Sequence, residues 1–148
     1  MGSAGSGKTH LIKRFVEQTE KNVALTATTG IAALNLGGDT IHRFLGLGIN
    51  TRPEDAPKII KAWENKKTSK KSWDQTAWKT LSNTDAIIID EVSMLRRDQF
   101  ELIELILSGV LDNNAPFGGI QIILVGDFFQ LPPVVTVQDL QNYPDLKL

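Results

Sequence analysis

Eight residues at the start of the chain, Gly2-Ser3-Ala4-Gly5-Ser6-Gly7-Lys8-Thr9, fit the spacing G-x-x-x-x-G-K-[ST] without a mismatch. Their chemistry is that of gripping a nucleotide's phosphates. Glycines let consecutive backbone N–H groups turn inward around an anion, and a side chain at Gly5 or Gly7 would obstruct the approach. Lys8 is then placed to reach the β- and γ-phosphates of ATP, and the Thr9 hydroxyl to ligate Mg²⁺. A second group of reactive residues lies far downstream, where Asp85-Ala86-Ile87-Ile88-Ile89 runs into Asp90-Glu91. Two carboxylates at the end of an apolar run cost too much to bury without a cation. Asp90 is therefore assigned to Mg²⁺, held through water, and Glu91 to orienting and deprotonating an attacking water. Gln130, beyond a third apolar run, is placed to contact the γ-phosphate or that water.

These residues need elements that carry them to one place. Leu11, Ile12, Phe15 and Val16 make a helical stripe directly after Thr9, so the phosphate loop opens a helix, expected to end near residues 20–22, whose positive N-terminal end faces the anion. Val23 to Ala27 and Ala86 to Ile89 read as short buried strands and Ile120 to Val125 as a third strand, alternating with helical patterns. That order predicts an α/β fold with a parallel sheet flanked by helices, in which ligands sit at the C-terminal ends of the strands. Thr28-Thr29-Gly30 opens a short helix stopped by Gly37-Gly38, and Asp39-Thr40 caps another through Ile41 to Leu45. Hydroxyls and free N–H groups at such a helix start suit either plain capping or a phosphate of a second ligand.

The 148 residues are 41% hydrophobic with a net charge of −1, about one domain's worth of core-forming sequence. The absence of cysteine excludes disulfides and thiolate metal sites. No apolar run approaches the ~18 residues that a membrane-crossing helix needs. Charge is segregated: residues 58–80 carry seven lysines and two acids, whereas residues 81–148 carry three basic residues and ten acids. The lysine run suits a solvated helix face or a surface attracting nucleic-acid phosphates. Trp63, and Trp73 with Ala77 and Leu81, recur at helical spacing, which suits core packing; tryptophans beside lysines also suit stacking on bases. Lys66 to Lys71 is expected to be a mobile loop, and a helix is expected over about Arg96 to Leu111.

Taken together, the phosphate loop, Thr28-Thr29-Gly30-Ile31-Ala32-Ala33, Gly38-Asp39-Thr40-Ile41-His42, Ile89-Asp90-Glu91-Val92-Ser93-Met94-Leu95 and Gly126-Asp127-Phe128-Phe129-Gln130-Leu131-Pro132-Pro133-Val134 resemble the Pif-one family of superfamily-one DNA helicases. The resemblance implies a RecA-like P-loop fold and an ATP-dependent motor moving 5′ to 3′ on single-stranded DNA or DNA junctions. It also implies roles in repair, recombination and telomere maintenance. It places Lys8, Glu91 and Gln130 in catalysis, Gly2 to Thr9 around ATP, Thr9 and Asp90 on Mg²⁺, and Thr28, Thr29, Gly30 and His42 beside the DNA. Such helicases have two motor domains with ATP between them. Residues 1–148 correspond to part of the first, with its first strand, normally paired beside residues 120–125, and the second domain not represented. Slow hydrolysis and marginal stability are expected of the isolated chain on that ground. A small P-loop kinase and a non-catalytic nucleotide- or DNA-binding module are the competing assignments.

Overall fold

The computed structural model describes residues 4–48 and 50–126. Helix α1 (Ala4–Gln18) leads into strand β1 (Val23–Ala27), helix α2 (Gly30–Leu36), the two-residue strand β2 (Asp39–Thr40) and helix α3 (Ile41–Leu45). A 3-10 turn at Pro53–Asp55 starts α4 (Ala56–Thr68), followed by α5 (Ser72–Ser82) and β3 (Ala86–Asp90). After a second 3-10 turn come α6 (Arg97–Val110), a third 3-10 turn and β4 (Gln121–Leu124). The strands form one parallel sheet in the order β2-β1-β3-β4.

β3 is the centre of the molecule because every one of its residues is buried. Its three consecutive isoleucines alternate between faces. Ile87 and Ile89 pack with Ile59 and Trp63 of α4, Leu81 of α5, and Leu102, Ile103, Ile106, Leu107 and Val110 of α6. Ile88 points the other way, toward Ile12 of α1 and Ala32, Ala33 and Leu36 of α2. The sheet is thus a middle layer with α1 and α2 on one face and the other helices opposite. In register, Ala27 lies opposite Asp90 and Ile89 opposite Leu124. The parallel strands therefore deliver Thr28, Thr40, Asp90-Glu91 and Val125-Gly126 to one rim.

Several expectations need correction. The phosphate loop was expected to precede the first helix, but Ala4, Gly5, Ser6, Gly7, Lys8 and Thr9 lie within α1. Each residue added to a helix gains a backbone hydrogen bond, and this outweighs the roughly 1 kcal/mol that glycine costs there. At its other end α1 stops at Gln18, two residues short of the expected boundary. Nor is the lysine-rich stretch wholly a loop: α4 continues through Lys66, Lys67 and Thr68, leaving three residues before α5. Ser69 secures that link, donating to Asp74 Oδ2 at 2.7 Å and accepting from Lys71 N. The tryptophans divide. Trp63 is buried and donates its indole N–H to the Leu45 carbonyl at 2.9 Å, whereas Trp73 is 68% exposed. The ammonium groups of Lys66, Lys67 and Lys71 lie 4.4, 4.7 and 5.7 Å from the ring centroids of Trp63, Trp78 and Trp73.

Candidate functional site

The site begins where β3 ends. Asp90 closes the strand with its side chain 7% exposed, and Lys8 of α1 brings its Nζ to 3.3 Å from Asp90 Oδ1. The same oxygen accepts the Glu91 N–H at 2.8 Å. Two residues 82 positions apart in sequence thus meet because α1 packs across the sheet face above the C-terminal end of β3. Lys8 remains 26% exposed and can still turn toward a ligand. Thr9, next to Lys8 on α1, is half-buried.

Glu91 leaves the strand in an unusual way. Its backbone is left-handed, with φ 56° and ψ 44°, a conformation costing a residue with a side chain about 1–3 kcal/mol and concentrated at functional positions. Neighbouring elements hold it there. Val92 N–H donates to the Val125 carbonyl at 3.0 Å, Met94 N–H donates to the Glu91 carbonyl at 3.0 Å, and the Thr28 hydroxyl donates to that same carbonyl at 2.8 Å. Gly126 passes so close that a Cβ there would sit 3.1 Å from Val92 N.

The residues expected beside DNA occupy the same rim. Thr29 caps α2, its hydroxyl accepting from Ala32 N–H, and Gly30 begins that helix. Thr40 caps α3 by accepting from Arg43 N–H at 3.1 Å. His42, one turn into α3, is half-buried with Nε2 3.4 Å from Gln99 Nε2, and burial lowers its pKa below the ordinary 6.5. Sequence reasoning overlooked a cluster behind this rim. Asp98, almost fully buried, lies 3.0 Å from Arg52 Nη1 and 3.3 Å from Arg96 Nε. A signal existed: Asp98 stands four residues before Leu102, on the inward stripe of α6, where an acid requires a cationic partner. Gly2, Ser3 and Gln130 lie outside the described residues.

The donor set bears on Mg²⁺. Among the described residues no group of three or more acidic or imidazole side chains could form a protein cage for a metal. Mg²⁺ needs none, since it is typically held by one or two carboxylates together with substrate phosphates and water. One carboxylate at Asp90, with the Thr9 hydroxyl on the element that carries Lys8, fits that mode.

A family model described as PIF1-like helicase matches residues 1–143. The chain belongs to this family. It is 40% identical over 138 residues to the ATP-dependent DNA helicase PIF1 of Saccharomyces cerevisiae, covering 90% of this chain and 15% of the yeast protein. To the human ATP-dependent DNA helicase PIF1 it is 38% identical over 141 residues, covering 90% of this chain and 19% of the human protein. A crystal structure of Bacteroides Pif1 bound to single-stranded DNA superimposes with a TM-score of 0.75 at 35% identity, over 95% of this chain and 31% of that one. The chain therefore has the RecA-like P-loop fold of the Pif1 helicases and spans less than a fifth of the length of these two curated relatives.

Proposed function

We propose that this chain is part of the first RecA-like motor domain of an ATP-dependent DNA helicase, with ATP as fuel and single-stranded DNA or a DNA junction as track. The observation carrying this reading is the Lys8–Asp90 contact beside Glu91 at the C-terminal rim of a parallel sheet. The Pif1 relatives are ATP-dependent DNA helicases, and a similar structure is that of a Bacteroides Pif1 in complex with ADP-AlF4, which supports the same assignment.

In this reading Lys8 leaves Asp90 for the β- and γ-phosphates, and the N–H groups at the start of α1 face the anion. Asp90 and Thr9 would hold Mg²⁺, which supplies charge neutralisation on the phosphates. Glu91 orients the attacking water and takes its proton, and Gln130 contacts that water or the γ-phosphate. Thr29, Gly30 and His42 face the strand, with Thr28 the residue joining them to the nucleotide side. Movement 5′ to 3′, with work in repair, recombination and telomere maintenance, extends the family resemblance.

The test is phosphate release from ATP by the full-length protein with and without single-stranded DNA. DNA-stimulated release, abolished by Lys8→Ala, is expected. Phosphoryl transfer to a small acceptor would instead indicate a kinase, and nucleotide binding without release a non-catalytic module.

A further inference from the structure

We infer that Thr28 is a positioning residue for Glu91, holding its carbonyl in the left-handed turn, and is not a contact to the DNA backbone. A threonine hydroxyl has one proton. That of Thr28 is given to the Glu91 carbonyl at 2.8 Å, and phosphate oxygens offer only acceptors, so the same proton cannot also serve a phosphate. The backbone of Thr28 reinforces the hold, its N–H donating to the Asp90 carbonyl at 3.1 Å. Thr28 thereby fastens β1 to both residues of the carboxylate pair, at the point where the β3 chain turns through φ 56°.

Its neighbour is arranged differently. Thr29 accepts from Ala32 N–H at 3.3 Å, and its own hydroxyl proton meets no acceptor among the described residues. Thr29 is therefore the hydroxyl that can donate to a DNA phosphate, with Gly30 beside it. Adjacent residues divide the labour, one facing the strand and the other fixing where the Glu91 side chain leaves the chain. A strand bound at Thr29-Gly30 is then one peptide unit from the group that sets the catalytic carboxylate, a direct route by which DNA occupancy alters turnover.

The inference rests on Glu91 being the base, so Glu91→Gln is measured alongside. Thr28→Val keeps the branched shape and deletes the hydroxyl, whereas Thr28→Ser keeps the hydroxyl. In the full-length protein, T28V is expected to lower kcat for DNA-stimulated hydrolysis about tenfold to a hundredfold, the scale of a small misplacement of a reacting group. KM for ATP and Kd for single-stranded DNA should stay within about twofold, because neither ligand loses a contact. T28S should restore kcat. Thr29→Val, by contrast, should raise the Kd for DNA. If T28V weakens DNA binding and leaves kcat at saturating DNA unchanged, Thr28 is a DNA contact and the inference is overturned. It is equally overturned if E91Q is inactive while T28V turns over normally. Turnover by E91Q at the wild-type rate would refute the assignment of Glu91 itself. Should T28V fail to fold, Thr28→Ala removes the hydroxyl without adding a methyl group and is held to the same split between kcat and Kd.

Discussion

Asp98 is the side chain on which the region behind the rim depends. Its carboxylate is nearly inaccessible and lies between the guanidinium groups of Arg52 and Arg96, both themselves largely covered. Replacing a whole buried ionic cluster with apolar residues is often neutral, but removing one partner strands the charges that remain. Asp98→Ala takes away the carboxylate that two guanidinium groups share in a partly desolvated place. The expected loss is about 3 to 5 kcal/mol, read as a lower urea midpoint at unchanged m. A loss below about 1 kcal/mol would mean that both arginines swing into solvent at no cost. Because Arg52 precedes α4 and Arg96 precedes α6, the cluster also ties the start of α6 to the segment following α3, the helix that carries His42. The inward position of Asp98 is visible in the sequence, but its pairing with Arg52, 46 residues away, is made only by the tertiary fold.

At the level of elements, the parts of the fold legible in the sequence are those fixed by local chemistry. β3 was legible because consecutive β-branched residues can only be buried on both faces of a central parallel strand. α2 and α3 were legible from hydroxyl caps at Thr29 and Thr40 and the left-handed glycines Gly37 and Gly46. β2 was not, because two residues carry no periodicity and become a strand only by pairing with Thr26 and Ala27. Gly38 permits that pairing: a Cβ there would collide with the Leu25 carbonyl oxygen. Gly109 of α6 is a softer case, since its added Cβ would collide with the Ile60 side chain of α4. Gly38→Ala must displace the backbone of β1 and is expected to cost about 3 kcal/mol, the upper range for overpacking. For Gly109→Ala the side chain can shift and the helix gains about 1 kcal/mol of propensity, so a net cost below about 2 is expected. Thermal melts of the two variants check the order, and a larger shift for G109A would contradict it.

At the scale of the whole molecule, the two faces of the sheet are unequally buried among the described residues. On one, α6 alone contributes Leu102, Ile103, Ile106, Leu107 and Val110 to the larger core. On the other, α1 contributes Ile12, with Val16 packed against the cluster, while Leu11 and Phe15 of the same apolar stripe are 68% and 40% exposed. The stripe in α1 was visible in the sequence, but how much of it is covered depends on what packs over α1, which no local pattern encodes. The same limit governed the site: residue types and spacing singled out Lys8, Asp90 and Glu91, whereas the Thr28 bond to Glu91 needed the β1–β3 register. Local stability follows buried apolar contact, so α1 should open more readily than α6, and α1 is the element that carries Lys8, the lysine proposed to hold the nucleotide. Hydrogen exchange of the full-length protein is expected to show α1 amides exchanging faster than those of α6. A ligand bound only by the closed form suppresses opening in proportion to its saturation, by about a hundredfold at a concentration of 100 times its Kd. Adding ATP with Mg²⁺ should therefore slow exchange in α1 far more than in α6. Equal protection of the two helices without nucleotide would refute the unequal-face account, and a slowing confined to α6 would place the ligand elsewhere than the start of α1.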